Sequence, residues 1–174
     1  MKTLPILCSI AGLICATGLM AATDAPVTPS AVEVSFEKPE EFTDFTHSYT
    51  QKDYQQDGLM AEIREHVQQR AASRLAAGQK LVVKFTDIDL AGDFEPWRVS
   101  TNQDIRIVKD LYPPRMKLEF KLLNADGSVA AEGKRSLVNL GFMSSLAFPQ
   151  SDPLRYDKEM LTDWLRTELT QRKK

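Results

Sequence analysis

Arg115-Met-Lys-Leu-Glu-Phe-Lys-Leu-Leu123 alternates without a break, with Met116, Leu118, Phe120 and Leu122 on one face and Lys117, Glu119 and Lys121 on the other. Side chains of a strand point to opposite faces in turn, so the stretch predicts a strand with one buried and one solvated face. Asn124-Ala-Asp-Gly127 follows, with a glycine available for positive φ, and Val129 to Leu137 returns; together they predict an antiparallel hairpin. Its apolar face needs a covering layer.

The flanking sequence supplies that layer. Tyr112-Pro113-Pro114 cannot donate to a ladder and marks an extended entry into the hairpin. Upstream, Ile105 to Val108 forms a short strand, after a long connection from Asp87 to Asn102 that contains Gly92, Pro96 and Trp97. From Lys80 the period is two: Leu81, Val83 and Phe85 oppose Val82, Lys84 and Thr86, in a strand expected to be buried on both sides at its start. Leu59, Ile63, Val67, Ala71 and Leu75 recur every four residues and predict a helix, capped by Asp53 or Asp57 and ended by Gly78. Val32 to Phe36 alternates as a first strand that Lys38-Pro39 stops, and Glu40 to Lys52 reads as a packed loop holding Phe42, Phe45 and Tyr49. Beyond a loop from Val138 to Ser151, Asp152-Pro153 supplies a cap and a first-turn proline. A second helix then carries Leu154, Leu161, Trp164, Leu165 and Leu169 inward. The economical arrangement is α+β, a two-layer sandwich with a mixed four- to five-stranded sheet and two helices packed on one face.

Outside this core, residues 1–22, MKTLPILCSIAGLICATGLMAA, combine one positive charge, an apolar run and small residues, the pattern of a secretory signal peptide. Residues 23–31, TDAPVTPSA, read as a linker, and residues 32–174 as a single domain of about 150 residues. Both cysteines, Cys8 and Cys15, fall in the leader, so the mature chain has no thiol nucleophile, Cys-ligated zinc or disulfide. Ile14 before Cys15 is the wrong residue for lipid attachment. The expected location is periplasmic, with no transmembrane anchor once the signal is removed. A formal charge of −2 without a dense basic run argues against nucleic acid as a partner; the basic Gln171-Arg-Lys-Lys174 suits a helix C-terminus.

The densest polar group is Asp87-Ile-Asp89-Leu-Ala-Gly92-Asp93-Phe-Glu95. On an extended chain Asp87 and Asp89 point to the same side while Ile88 and Leu90 point inward, and Asp87, Asp89, Asp93 and Glu95 near a glycine turn could gather a hard cation, since such ions take oxygen ligands. Ala91 and Arg98, however, stand where a calcium loop needs ligands. A second group comprises Arg106, Asp110, Tyr112 and Arg115, with Asp152, Arg155 and Tyr156 at the start of the second helix. Arginine forks there could hold a carboxylate or phosphate. The structural alternative is that they pair with Asp87, Asp89, Asp93, Glu95 or Asp152 and lock the loops to the sheet, the reading favoured here. Trp97 and Trp164 read as core anchors more than groove linings. His66 borders the helical stripe, and His47 sits in a loop without an evident partner. No H-E-x-x-H, G-x-S-x-G, G-x-G-x-x-G or phosphate loop occurs. No metal and no cofactor is implied.

Several of these stretches resemble one family. Val32-Glu-Val-x-Phe36 with Pro39-Glu40-x-Phe42-Thr-Asp44 resembles its start, and Asp87-x-Asp89-Leu-Ala-Gly92-x-Phe94-Glu-Pro-Trp97 its middle. Arg106-Ile-Val-x-Asp110-x-Tyr112-Pro-Pro-Arg115 and Ser151-Asp-Pro-Leu-Arg-Tyr156-x-Lys158 with Trp164 resemble the remainder. The family is the exported bacterial domain-of-unknown-function family 3016. The resemblance implies a secreted single-domain protein and brings no activity, ligand or catalytic residue with it. The expected function is therefore a non-enzymatic periplasmic accessory or binding module, using the solvated sheet face or the Asp87–Arg98 loop to hold a protein or small ligand of the cell envelope. The alternative is a metal-dependent hydrolase or metal binder using Asp87, Asp89, Asp93 and Glu95.

Overall fold

The computed structural model describes residues 31–46, 48, 52–95, 97, 105–144 and 149–170. The expected leader, all of the linker but Ala31, His47, Tyr49, Arg98 and the basic end at 171–174 lie outside them. The elements are Val32–Phe36 (β1), Lys52–Ala72 (α1), Lys80–Asp89 (β2), Asp93–Phe94 (β3), Arg106–Ile107 (β4), Arg115–Leu123 (β5), Val129–Val138 (β6) and Arg155–Thr170 (α2).

Four strands pair in the order β1-β2-β5-β6, with β1 parallel to β2 and the others antiparallel. The sheet is mixed because α1 crosses between β1 and β2, while a short turn joins β5 to β6. One buried cluster joins the inward side chains of all four strands to Leu59, Ile63, Val67 and Ala71 of α1 and Leu161, Trp164, Leu165 and Leu169 of α2. α1 packs on β1 and α2, and α2 reaches β6. The fold is α+β, with two helices against one face of a mixed four-stranded sheet. Among the described residues, no helix is long and apolar enough to cross a membrane.

Several local expectations need correction. The short strand around Arg106 does not extend the main sheet; β4 pairs with β3 in a separate two-stranded ribbon. α1 contains Asp53 and Asp57, so neither caps it. It ends at Ala72, leaving Leu75 and Gly78 (φ 79°) in the connection to β2. The start of β2 is not buried on both sides: Val82 is half-buried, on the face with Lys80 and Lys84. That strand also runs on to Asp89, further than the sequence suggested, because its register shifts between Phe85 and Asp87. A bulge re-aims the side chains that follow it. The inward positions Leu81, Val83 and Phe85 give way to Ile88 and Leu90. Without the shift, Asp87 and Asp89 would point into the core.

On the free side of β1 the edge is closed by the helix. The N–H of Leu81 donates to O of Ala31 and the N–H of Glu37 to O of Phe85, so the carbonyls of Val32 and Val34 face away from β2. Gln68 Nε2 donates to the first at 3.2 Å and Arg64 Nε to the second at 3.5 Å, with the guanidinium over the Phe36 ring. An exposed edge is thereby blunted by side chains.

Candidate functional site

The acidic cluster lies where β2 ends and the β3–β4 ribbon begins, and its members do not converge on a cavity. Lys117 Nζ donates to Asp87 at 2.8 Å, and Thr43 donates to the same carboxylate through its N–H (3.0 Å) and hydroxyl (2.9 Å). Burial pushes the Asp87 carboxyl up, but Lys117 and Thr43 outweigh it and hold it below the usual range. Arg115 donates to Asp89 at 3.2 Å. There burial, with the nearby Asp44 charge, prevails over the arginine and raises the carboxyl. Glu95 is buried and accepts from Lys109 and, at 2.9 Å, from the Tyr112 hydroxyl. Asp93 accepts from the N–H of Phe94 at 2.7 Å.

Arg106 is the centre of the arrangement. Its two terminal nitrogens donate to Asp44 Oδ2 (2.7 Å) and Oδ1 (2.9 Å), to O of Gly92 (2.8 Å) and to O of Thr46 (2.8 Å). The guanidinium also lies over the Phe94 ring, 4.6 Å from its centre. One side chain thus ties the segment after β1, the turn after β2 and the ribbon together, as only a planar fork can. Asp44 itself bridges to Asp89 in parallel.

Gly92 makes the close approach possible. Its φ is 84°, and a Cβ there would sit 2.9 Å from O of Ile107 and 3.1 Å from Cγ of Arg106. Gly92→Ala should therefore combine a strained backbone with a collision against main chain, costing about 1–3 kcal/mol of stability in a urea melt. An unchanged midpoint would refute this account of the turn.

Beneath the ribbon lies Asp157, in the first turn of α2 and 1% exposed. Its Oδ1 accepts a long hydrogen bond, 3.3 Å, from the N–H of Ala91, while Oδ2 is buried without a partner among the described residues. Burial pushes the carboxyl up to about 7; the Ala91 N–H and the Arg106 charge oppose the shift and the Asp89 charge adds to it. On α1, His66 is also buried, its Nε2 2.9 Å from both O of Lys158 and Oγ1 of Thr162. Burial pushes this imidazole down to about 4. Neither group opens to solvent, so neither is placed to meet a substrate.

The second predicted group is partly brought together. Tyr112 and Arg115 join the acids as expected, whereas Arg106 takes Asp44, a residue outside the expected acid set. Asp152 does not cap α2 and Pro153 is not in its first turn, since the helix starts at Arg155: Asp152 accepts from the N–H of Leu154 (2.8 Å) in a local turn before it, and pairs with Lys158 at 2.8 Å. Arg155 turns to the Tyr156 ring, 4.2 Å from its centre, and to O of Gln150 and Asp152. Asp110 is exposed in the turn closed by the N–H of Tyr112 to O of Lys109. Trp97 is no core anchor: it is 72% exposed, while Trp164 is buried edge-on to Phe120. Sequence reasoning missed Lys109, Lys117 and Asp157 as partners. Lys117 is visible in retrospect, because it pairs across the ladder with Asp87. Among the described residues, no three His, Cys, Asp or Glu side chains are arranged to hold a metal ion. The metal reading thus loses its ligands to lysine, arginine and threonine.

A family model described as "Protein of unknown function (DUF3016)" matches residues 30–167, which include every strand of the sheet and the whole Arg106 network. The chain belongs to that family. No curated protein and no solved structure matches it. In this DUF3016 chain, the stretches around Asp44, Asp87–Glu95 and Arg106–Arg115, far apart in sequence, meet in one network.

Proposed function

We propose that the chain is an exported, non-catalytic binding or accessory module of the cell envelope. The observation that carries this reading is Trp97. It stands 72% exposed two residues beyond the buried, doubly bonded Glu95. Ile105 and Leu111, also on the connections around the ribbon, are 54% and 70% exposed. Large apolar side chains next to a ribbon held by ion pairs suit recognition, because rigid aromatic anchors lose little entropy on binding. The ion pairs of Arg106 with Asp44 and of Lys109 with Glu95 hold the ribbon from which these side chains extend. The signal-like start and the cysteine-free remainder support export.

Crosslinking in intact cells tests the reading. The chain should be recovered from the periplasm, shortened at its N-terminus, and crosslinked to a partner. Trp97→Ala should abolish that adduct while leaving the melting temperature unchanged. Recovery of the intact polypeptide from the cytosol, or an adduct indifferent to Trp97, would overturn it. Ca²⁺, Mg²⁺, Mn²⁺ or Zn²⁺ should leave the melting temperature where it is. A rise would return the acidic cluster to consideration as a metal site.

A further inference from the structure

The two outer edges of the sheet differ. At β1, side chains of α1 occupy the outward carbonyls. At β6, the N–H of Asn139 donates to O of Pro114, which fixes the phase of the ladder. The pairs Met116–Leu137, Leu118–Arg135 and Phe120–Gly133 exchange hydrogen bonds, and Glu132, Lys134, Ser136 and Val138 direct their N–H and C=O groups outward. The contact to one of these carbonyls comes from the strand itself, Arg135 Nη1 to O of Lys134 at 2.9 Å. The difference between the edges is one of extent: among the described residues, Lys134 is the one of these four whose outward carbonyl is met by a side chain, whereas both outward carbonyls of β1 are met by the helix.

The solvated face carries a row of alternating charge up to this edge. Glu37 pairs with Lys84 (2.9 Å), Lys84 with Glu119 (3.0 Å) and Glu119 with Lys134 (2.6 Å). One pleat along, Lys121 pairs with Glu132 at 3.0 Å. The first row ends at the edge on a cation and the second on an anion, with Gly133 between them.

We infer that β6 pairs antiparallel with β6 of a second copy, about a two-fold axis through Gly133, joining two four-stranded sheets into one of eight. In this register Lys134 faces the second copy's Glu132, and Glu132 its Lys134. The alternation of sign then continues unbroken, from Glu37 through Lys84, Glu119 and Lys134 to the second copy's Glu132 and Lys121. Both facing residues are outward-bonding ones, as the ladder requires. Gly133 on the axis has no side chain of its own; on the helix side the strand's own Arg135 lies over it, its Nη1 2.8 Å from where a Cβ would stand, and Arg135 faces the second copy's Ala131. Opposite charges across a strand pair stabilise it and like charges destabilise it. A self-complementary patch closes on itself in a dimer and leaves no growing edge at β6. The inference stands apart from the proposed envelope function, since it needs no other partner.

Sedimentation velocity over a concentration series decides it. The purified chain should pass from monomer to dimer as concentration rises, and salt should weaken the dimer. Glu132→Lys and Lys134→Glu each place like charges opposite one another twice, and each should weaken self-association about tenfold or more. Mixed in equal amounts, the two variants should associate again, because the all-cationic edge of one then meets the all-anionic edge of the other. Ser136→Pro removes an outward donor without touching the bonds to β5, and should abolish the dimer while circular dichroism stays native. A wild-type chain that remains monomeric throughout would overturn the inference. So would a dimer that survives Ser136→Pro, or charge variants whose mixture fails to associate.

Discussion

Arg106→Ala is expected to lower the unfolding free energy by about 3–5 kcal/mol. The side chain is 14% exposed and that of its partner Asp44 is 21% exposed. Removing the guanidinium therefore strands a carboxylate and the carbonyls of Gly92 and Thr46 with little water to replace it. An unsatisfied buried acceptor costs its full desolvation. Arg106→Lys keeps the charge but cannot fork to both carboxylate oxygens and two carbonyls, so it should recover less than half of the loss. Urea melts of both variants, and of Arg106→Ala combined with Asp44→Ala, measure this. The double variant should cost clearly less than the two single losses added together, the mark of two groups in direct contact. Simple additivity would mean that the fork contributes little.

The second large effect is a pH dependence hidden by compensation. His66 is held down to about 4 in the folded chain, against about 6.5 when unfolded. The unfolded state therefore binds the extra proton first as pH falls, and stability is lost from about 6.5 toward 4. Asp157 does the opposite. Its carboxyl is raised to about 7, so the folded state keeps its proton after the unfolded state has released it, and stability falls as pH rises from about 4 toward 7. The charged groups that reach His66 are Arg70, Lys158 and Asp152; those that reach Asp157 are Arg106 and Asp89. Between pH 4 and 6.5 the two slopes cancel, and the native protein should show nearly level stability. Asp157→Asn should unmask the histidine, with stability rising by about 3 kcal/mol from pH 4 to 6.5. His66→Gln should unmask the carboxyl and tilt the profile the other way. Thermal melts across that range check both slopes. Two variant profiles as level as the parent's would show that neither group titrates as its surroundings dictate.

Strand and helix positions were legible wherever one periodicity dominated. Arg115–Leu123 and the hairpin it opens appear within one residue of the expected bounds, because a half-buried antiparallel pair writes its pleat into the sequence. The stripe of α2 was equally plain. The end of β2 was partly legible: Ile88 and Leu90 point inward with Asp87 and Asp89 on the other side, as expected, but a bulge shifts the period by one, so the stretch reads as a connection instead of a continuation of the strand. The site was half legible. Acids and arginines on the same loops announced ion pairing, but pairing partners are set by tertiary contact, and Arg106 finds Asp44 from 62 residues away. Trp97 misled for a related reason: composition places tryptophan inside, and its actual exposure depends on where the ribbon leaves the sheet.

The placement of β1 bears on how the molecule is assembled in time. The β5–β6 hairpin can close as soon as its own turn is made, whereas β1 has β2 as its only strand neighbour in the sheet and lies on the far side of the whole of α1 from it. Non-local pairings of this kind are slow, because the entropy of closing the intervening loop must be overcome before any contact rewards it. During synthesis the first of the described strands can thus be seated only after α1 and β2 have been made, and until then its apolar Val32, Val34 and Phe36 are residues a chaperone would find.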